Sequence, residues 1–466
     1  MRYSLIIGLL YVLAMPVANA QQAQPPATEA PPTFEFGFEQ RVRNEDWNNI
    51  TDFSDKSNDE REQIRYRTRG WISVPLSSDV SFFVGADQET NQKLGQPNNH
   101  FDEVAFETAY IDIKRLFVKG LSLRVGRQNL MRGEGFILMD GTPGDGSRSL
   151  YDNAVDLAYS AKKSKLELIG ILNPKYDRML PRINDQHKLL QEYDSSSLGA
   201  YYTDNNHKRV GFESYYLYTK EVHDYRAPTN PAFQPDKHVS TAGGRAVIQM
   251  APGWTATTEF AGQWGAEHPD IVVRGWGGYG YVKRQFTHRW KPYVLGGWWG
   301  LSGDDPKSKG RVEGWDPLYS RWPKWSELYI YSQVPEKGVA YWTNLSMWQA
   351  ETGITPFKKL TARLTYYHMG AFQPYAGSAK TFSSGLDRGD NIQTRFDYVH
   401  NKNWKADIEM ERQSPGNFYS VHNAGYYLQF QISYMASTKV TANRLKQALG
   451  FGSPAGAAPG ADPDQK

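Results

Sequence analysis

Gln63–Val74 reads QIRYRTRGWISV. Arg65, Arg67 and Arg69 stand at every second position, with Ile64, Tyr66, Thr68 and Ile72 between them. Side chains of a β-strand alternate between two faces, so over 64–70 one face of this strand carries only guanidinium groups and the other only apolar or neutral ones. The same alternation lies upstream in Thr33–Arg43 (TFEFGFEQRVR). There Phe34, Phe36, Phe38 and Val42 share one face, and Glu35, Glu39, Arg41 and Arg43 share the other. It continues downstream through 79–89, 104–113, 121–130, 254–262, 391–400 and 404–413. In Gly425–Met435, Tyr426, Leu428, Phe430, Ile432 and Tyr434 oppose Tyr427, Gln429, Gln431 and Ser433.

About eighteen such segments can be counted, each near the 9–11 residues that a tilted strand needs to cross a bilayer. The connections alternate in length. Short turns fall near 77–78, 119–120, 162–164, 205–207, 252–253, 287–289, 356–358 and 401–403. Long polar stretches occupy 44–62, 88–102, 129–152, 173–195, 220–240, 301–338 and 371–390. Short turns at one end and long loops at the other predict an all-β fold, a transmembrane antiparallel β-barrel of the outer membrane spanning 33–440, with the turns in the periplasm. A secreted propeller or sandwich would bury its apolar face in a core and needs no such alternation of loop lengths.

The N-terminus fits that location. Arg2, an apolar run from Leu5 to Leu13 and Ala18-Asn19-Ala20 predict a secretory signal peptide over 1–20, cut near Ala20. The run is too short for a spanning helix. The Pro/Ala/Gln-rich residues 21–32 read as a flexible leader. The chain has 466 residues, no cysteine, 14% aromatics and a formal charge of +3. That aromatic content excludes a disordered chain, and the absence of cysteine excludes disulfides and thiolate metal sites. Net charge alone points to no anionic partner.

In a barrel the apolar face meets lipid and the polar face meets the lumen. Arginine at the lipid midplane would cost roughly 2–4 kcal/mol per residue, so Arg65, Arg67 and Arg69 are expected inside. The same parity places Arg41, Arg43, Arg245, Arg274, Arg363 and Arg395 inside. Fixed cations between low-dielectric walls raise the local concentration of anions. The competing reading is structural pairing with Glu35, Glu39, Glu107, Asp87, Asp397, Asp407 and Glu409 on neighbouring strands.

A second marked stretch is 124–148 (RVGRQNLMRGEGFILMDGTPGDGSR). Strict parity puts Arg124, Gly126 and Gln128 inside and Arg127 outside. A bulge at Gly126 would bring Arg127 into the pore. Asp140, Asp145 and Asp152 offer oxygen ligands for Ca²⁺ but lack EF-hand spacing, so a folded-in constriction loop is the simpler expectation. Loop 301–338 carries Trp315, Tyr319, Trp322, Trp325, Tyr329 and Tyr331. These rings either stack on sugar faces or pack the loop against the barrel mouth.

The runs GRQNLMRGEG (126–135), DGTPGDGSR (140–148), YDNAVDLAY (151–159) and WDPLYSRWPKWSELYIYS (315–332) resemble the alginate export family of outer-membrane barrels. The resemblance implies an 18-stranded monomer whose Arg- and Lys-lined lumen carries a polyanionic exopolysaccharide outward. Arg127 is the residue carried over by motif. Exporters of that kind are expected to have a long plug-forming periplasmic turn near the C-terminus, whereas only Asn401-Lys402-Asn403 stands there in this chain.

The expected function is therefore an anion-favouring outer-membrane channel exporting an acidic polysaccharide such as alginate. The alternative is a diffusion porin for small anions or oligosaccharides. Expected partners are such a solute, outer-membrane lipid and periplasmic secretion proteins, without nucleic acid, cofactor or metal. The tail 441–466 is expected on the periplasmic side, and is expected to be disordered. No GxSxG or HExxH occurs, so no catalytic constellation is expected.

Overall fold

The computed structural model describes residues 33–94, 103–139, 152–185, 187, 191, 193–222, 236–267, 270–321, 324–377, 379–441 and 444–445. The expected signal peptide and leader, Asp140, Asp145, Trp322 and nearly all of the tail lie outside them.

Twenty strands form one sheet: β1 (Thr33–Asn48), β2 (Arg61–Pro75), β3 (Val80–Lys93), β4 (Val104–Ile113), β5 (Leu121–Gln128), β6 (Asp152–Ala161), β7 (Ser164–Asn173), β8 (Arg182–Ile183), β9 (Asp194–Asp204), β10 (Val210–Val222), β11 (Lys237–Ala251), β12 (Trp254–Glu267), β13 (Ile271–Gln285), β14 (Tyr293–Leu301), β15 (Arg311–Val312), β16 (Leu345–Phe357), β17 (Leu360–Gly370), β18 (Asp387–Val399), β19 (Trp404–Pro415) and β20 (Gly425–Thr441). The two-residue strands β8 and β15 belong to loops. The other eighteen are antiparallel to their neighbours, and β1 pairs with β20 from Thr33↔Thr441 to Asn48↔Tyr426. That pairing closes the barrel and removes both sheet edges.

The alternation read from sequence explains the closure. Phe38, Ile111, Phe212, Phe260, Leu364 and Phe430 are exposed on the outside, where lipid covers them. Several strands outrun the apolar pattern. β1 continues through Asn44–Asn48, and β3 through Gln88–Lys93. Polar residues there keep the ladder because backbone pairing continues beyond the membrane edge.

Connections at one end are short, including 76–79, 162–163, 252–253, 358–359 and 400–403. The other end carries 49–60, 174–193, 302–344 and 371–386. Loop 302–344 turns inward. Its Trp315, Trp325 and Tyr329 are almost wholly buried, as is Phe136 of loop 129–139. Trp315 stacks on Phe136 at 5.1 Å, and Trp325 meets wall residue Trp299 edge-on at 5.0 Å. The hydrophobic core of this barrel thus lies inside the lumen, made by loops against wall residues such as Tyr279, Met347 and Tyr367. Among the described residues the loop aromatics pack against the wall and do not present open sugar-stacking faces. A four-residue helix, α1 (Tyr329–Ser332), sits within this plug.

Candidate translocation pathway

The wall formed by β1 to β4 is built from opposed like charges. Register places Arg41 opposite Arg67, and Arg43 opposite Arg65. Such pairs repel unless carboxylates intervene. Here they do. Arg65 Nη1 donates to Glu45 Oε1 (2.9 Å) and its Nε to Glu89 Oε1 (3.1 Å). Arg67 Nη2 donates to Glu39 Oε1 (2.6 Å), and Arg69 Nε to Glu107 Oε2 (2.9 Å). Arg43 reaches Glu45 at 3.2 Å and, across the seam, Gln431 at 2.8 Å. Arg41 reaches Glu89 at 3.5 Å. The result is a ladder of both signs.

Exposure divides these arginines. Arg41 and Arg43 are 1% and 2% exposed, wedged among their carboxylates. The side chains of Arg69 (21%), Arg395 (27%) and Arg124 (39%) meet water in the lumen. Arg395 donates to Asp397 at 2.9 Å and is ion-paired to Glu409. Arg124 donates to Asp112 at 3.1 Å and lies over the Tyr110 ring. Arg245 is held by Glu213 (2.8 Å) and Glu134 (3.2 Å). Arg363 faces inward opposite Arg395 and makes no ion pair among the described residues.

The expected position of Arg274 is corrected. It is exposed on the outer face of β13, on the same side as Val272 and Trp276, whereas Val273 and Tyr279 face inward. Ile271, Val272 and Val273 are apolar on both sides of the strand and glycines follow, so composition does not mark the parity. The long-loop end of β13 keeps Arg274 clear of the membrane midplane.

Gly126 does not form the expected bulge: the register runs on unbroken, with Gly126 opposite Tyr110 and Ala154 and Arg127 opposite Ala109 and Asn153. The φ of Gly126 is +127°, and a Cβ there would lie 2.2 Å from the Ala109 carbonyl oxygen. Val125 is exposed outward, while Arg127 and Gln128 are both buried. Arg127 therefore keeps the parity of Val125, and it is buried by contacts with loop 174–193 rather than open to the lumen. Both Nη atoms donate to Asp177 at 2.7 Å, its Nε to Asn153 Oδ1 (3.0 Å), and Nη1 also to the Phe106 carbonyl (2.9 Å). Burial alone would raise the Asp177 carboxyl. The hydrogen bonds and charge of Arg127 outweigh it and hold the group below the usual carboxylate range. Arg127 thus clamps loop 174–193 to the wall.

Sequence reasoning passed over three basic groups. Arg132 donates to Asp156 and Glu167, both at 2.7 Å, and Lys165 donates to Glu167 at 2.5 Å. With Arg124 they line a polar recess of about 150 Å³ near the short-turn end. Arg132 lies inside the GRQNLMRG run, which was its one signal. The third group, Lys324, belongs to the plug. Its Nζ donates to the Glu134 carbonyl at 2.9 Å and lies 5.1 Å from the Trp299 ring. Burial pulls its pKa down to about 8, against the opposing pull of Glu134 and Glu259. A lowered lysine pKa means that the docked loop favours neutral lysine. Between pH 8 and the ordinary lysine value the released loop binds more protons, so docking strengthens as pH rises. Single-channel conductance is therefore expected to be lower at pH 9 than at pH 7, and this difference should vanish in Lys324→Met.

The fold and the charged, loop-constricted lumen define the class: an outer-membrane β-barrel channel of porin type. The sequence model described as Alginate export matches residues 33–427, and the chain belongs to the alginate export family. No curated protein matches it. Among solved structures it is similar to Pseudomonas aeruginosa OccK2 (OpdF), with a TM-score of 0.56 at 13% identity over 87% of this chain and 98% of that one. It is also similar to Pseudomonas aeruginosa OpdK with vanillate, with a TM-score of 0.53 at 11% identity over 86% and 99%. These likenesses concern the fold alone.

Proposed function

We propose that the channel passes an acidic polysaccharide, alginate by family membership, outward along the arginine-bearing side of the lumen. The observation that carries this reading is the concentration of cations on one wall: Arg41, Arg43, Arg65, Arg67 and Arg69 on two adjacent strands, inside a chain of the alginate export family. Water-exposed Arg69, Arg124, Arg363 and Arg395 are the groups a uronate carboxylate meets first. An incoming carboxylate exchanges with a wall carboxylate at Arg69, Arg124 or Arg395 and meets Arg363, which makes no ion pair among the described residues, so the polymer is handed along without a deep binding site. Because the wall is charge-balanced, selectivity arises from local field rather than net charge. The reading is of a conduit rather than a catalyst.

The second reading is uptake of small carboxylates. The inward-packed loops favour it, since they occupy part of the lumen, and one structural neighbour was solved with vanillate.

The test is planar-bilayer conductance across a KCl gradient, with polyuronate and monomeric uronate as blockers. Anion preference with block by polyuronate alone is the expected result. In the triple variant Arg65→Ala/Arg67→Ala/Arg69→Ala, Glu39 and Glu107 lose these arginine partners while Glu45 and Glu89 keep Arg43 and Arg41, and the reversal potential is expected to change sign toward cations. Block by the monomer alone would favour uptake. Cation preference of the unaltered protein would sink the acidic-solute reading.

A further inference from the structure

The outer face of β10 to β13 carries an arrangement that transport does not use. Tyr216, Tyr218 and Trp264 are 43%, 40% and 48% exposed there. Trp264 lies opposite Arg274, Lys220 lies opposite His238, and all three basic residues are exposed on the outside. Among the described residues, Lys220 and Arg274 make no ion pair or hydrogen bond. Glu221, Glu259 and Glu267 of the same strands are buried on the lumen side. Asp236 and Asp270 sit at the strand tips beyond the cluster.

Aromatic girdles mark the membrane interface. The tyrosines and tryptophans therefore fix the depth of Lys220, His238 and Arg274 at headgroup level, on the long-loop side that faces outward from the cell. Strands lie about 4.8 Å apart and rise about 3.4 Å per residue. Three strands and two residues thus separate Lys220 from Arg274, or about 16 Å between backbones, a span that two long side chains leaning toward each other shorten. Lys220 stands beside His238. That geometry suits two phosphates carried at opposite ends of a disaccharide, with the acyl chains running down over the aromatic rings.

We propose that this patch binds the bis-phosphorylated glycolipid of the outer leaflet, with Lys220 and Arg274 each taking one phosphate. Two unpartnered cations held at the interface match two phosphates in charge, and charge-assisted hydrogen bonds to phosphate are among the stronger polar contacts.

The full barrel in detergent is titrated with bis-phosphorylated lipid A and followed by tryptophan fluorescence, since Trp264 lies in the patch. The double variant Lys220→Gln/Arg274→Gln is expected to weaken apparent affinity by about tenfold or more. Dephosphorylated glycolipid is expected to bind the unaltered barrel no better than lipid A binds the variant. Arg284→Gln is the control. Arg284 lies at the opposite end of β13 over Trp254, and its loss is expected to leave binding unchanged. Heat-modifiable gel mobility reports whether each variant is folded. Equal binding by the double variant, equal loss with Arg284→Gln, or displacement of the lipid by inorganic phosphate at matched ionic strength would each overturn the proposal.

Discussion

Arg127→Ala is expected to destabilise the barrel by about 3–5 kcal/mol, the cost of leaving one partner of a buried ion pair uncompensated. Arg127 and Asp177 are both fully enclosed at the side chain. Removing the guanidinium strips Asp177 of two hydrogen bonds and also frees the Phe106 carbonyl and Asn153. Among the described residues Asp177 then keeps backbone contacts from Met179 and Leu180, at 3.3 and 3.4 Å. The measurement is the urea midpoint of refolding into lipid vesicles. Arg127→Ala/Asp177→Ala should recover much of the loss, because no charge is then stranded. If the double variant is no more stable than the single one, the clamp assigned to this pair is wrong. Lysine at 127 should rescue poorly, since a point charge cannot reproduce the bidentate fork.

Arg388→Ala is expected to open the channel. Arg388, on β18, is 1% exposed. It donates to Glu336 at 2.7 and 3.0 Å, to the Tyr329 hydroxyl at 2.9 Å and to the Asn344 carbonyl at 3.1 Å. All three partners belong to loop 302–344, so the wall holds the plug at several points through one side chain. A second hold is Glu411, which accepts from the Ser326 hydroxyl and from the Glu327 backbone N–H at 2.7 Å. Loss of a buried charged pair worth about 3–5 kcal/mol shifts the docked-to-released ratio by roughly two to four orders of magnitude if it falls wholly on that equilibrium. Single-channel recording should show a rise in open probability and in polyuronate access. Unchanged conductance, with the variant folded, would mean that the aromatic packing of Trp315 and Trp325 holds the plug without this latch.

How much of this was legible in the chain follows from what each feature depends on. Period-two alternation is local, so β1, β2, β19 and β20 could be read directly, as could the barrel class. The bulge expected at Gly126 does not form, and the covering of Arg127 by loop 174–193 could not be read from the strand alone, because Asp177 lies fifty residues away. Arg274 failed because neither neighbouring face was polar. The plug was half visible. A loop dense in Trp and Tyr announces packing, but not whether the partner is lumen or rim. The carboxylate assigned to each arginine was beyond reach, since cross-strand register is set by the turns and bulges between strands. The long C-terminal plug turn expected of the family is indeed absent, with only 400–403 between β18 and β19. Described residues of loop 302–344 pack into the lumen instead.

The seam between β1 and β20 also carries a consequence for assembly. Its sixteen registered pairs join residues about four hundred positions apart, so this join has the highest contact order in the molecule and forms slowly. The arginines of β1 and β2 meet Glu39, Glu45 and Glu89 within a single N-terminal meander. Arg43 finds Gln431 only once the last strand arrives. The charge of the wall is thus mostly neutralised early, by neighbours in the chain. An unclosed intermediate can therefore wait at the membrane surface for its final strand without carrying a row of naked guanidinium groups.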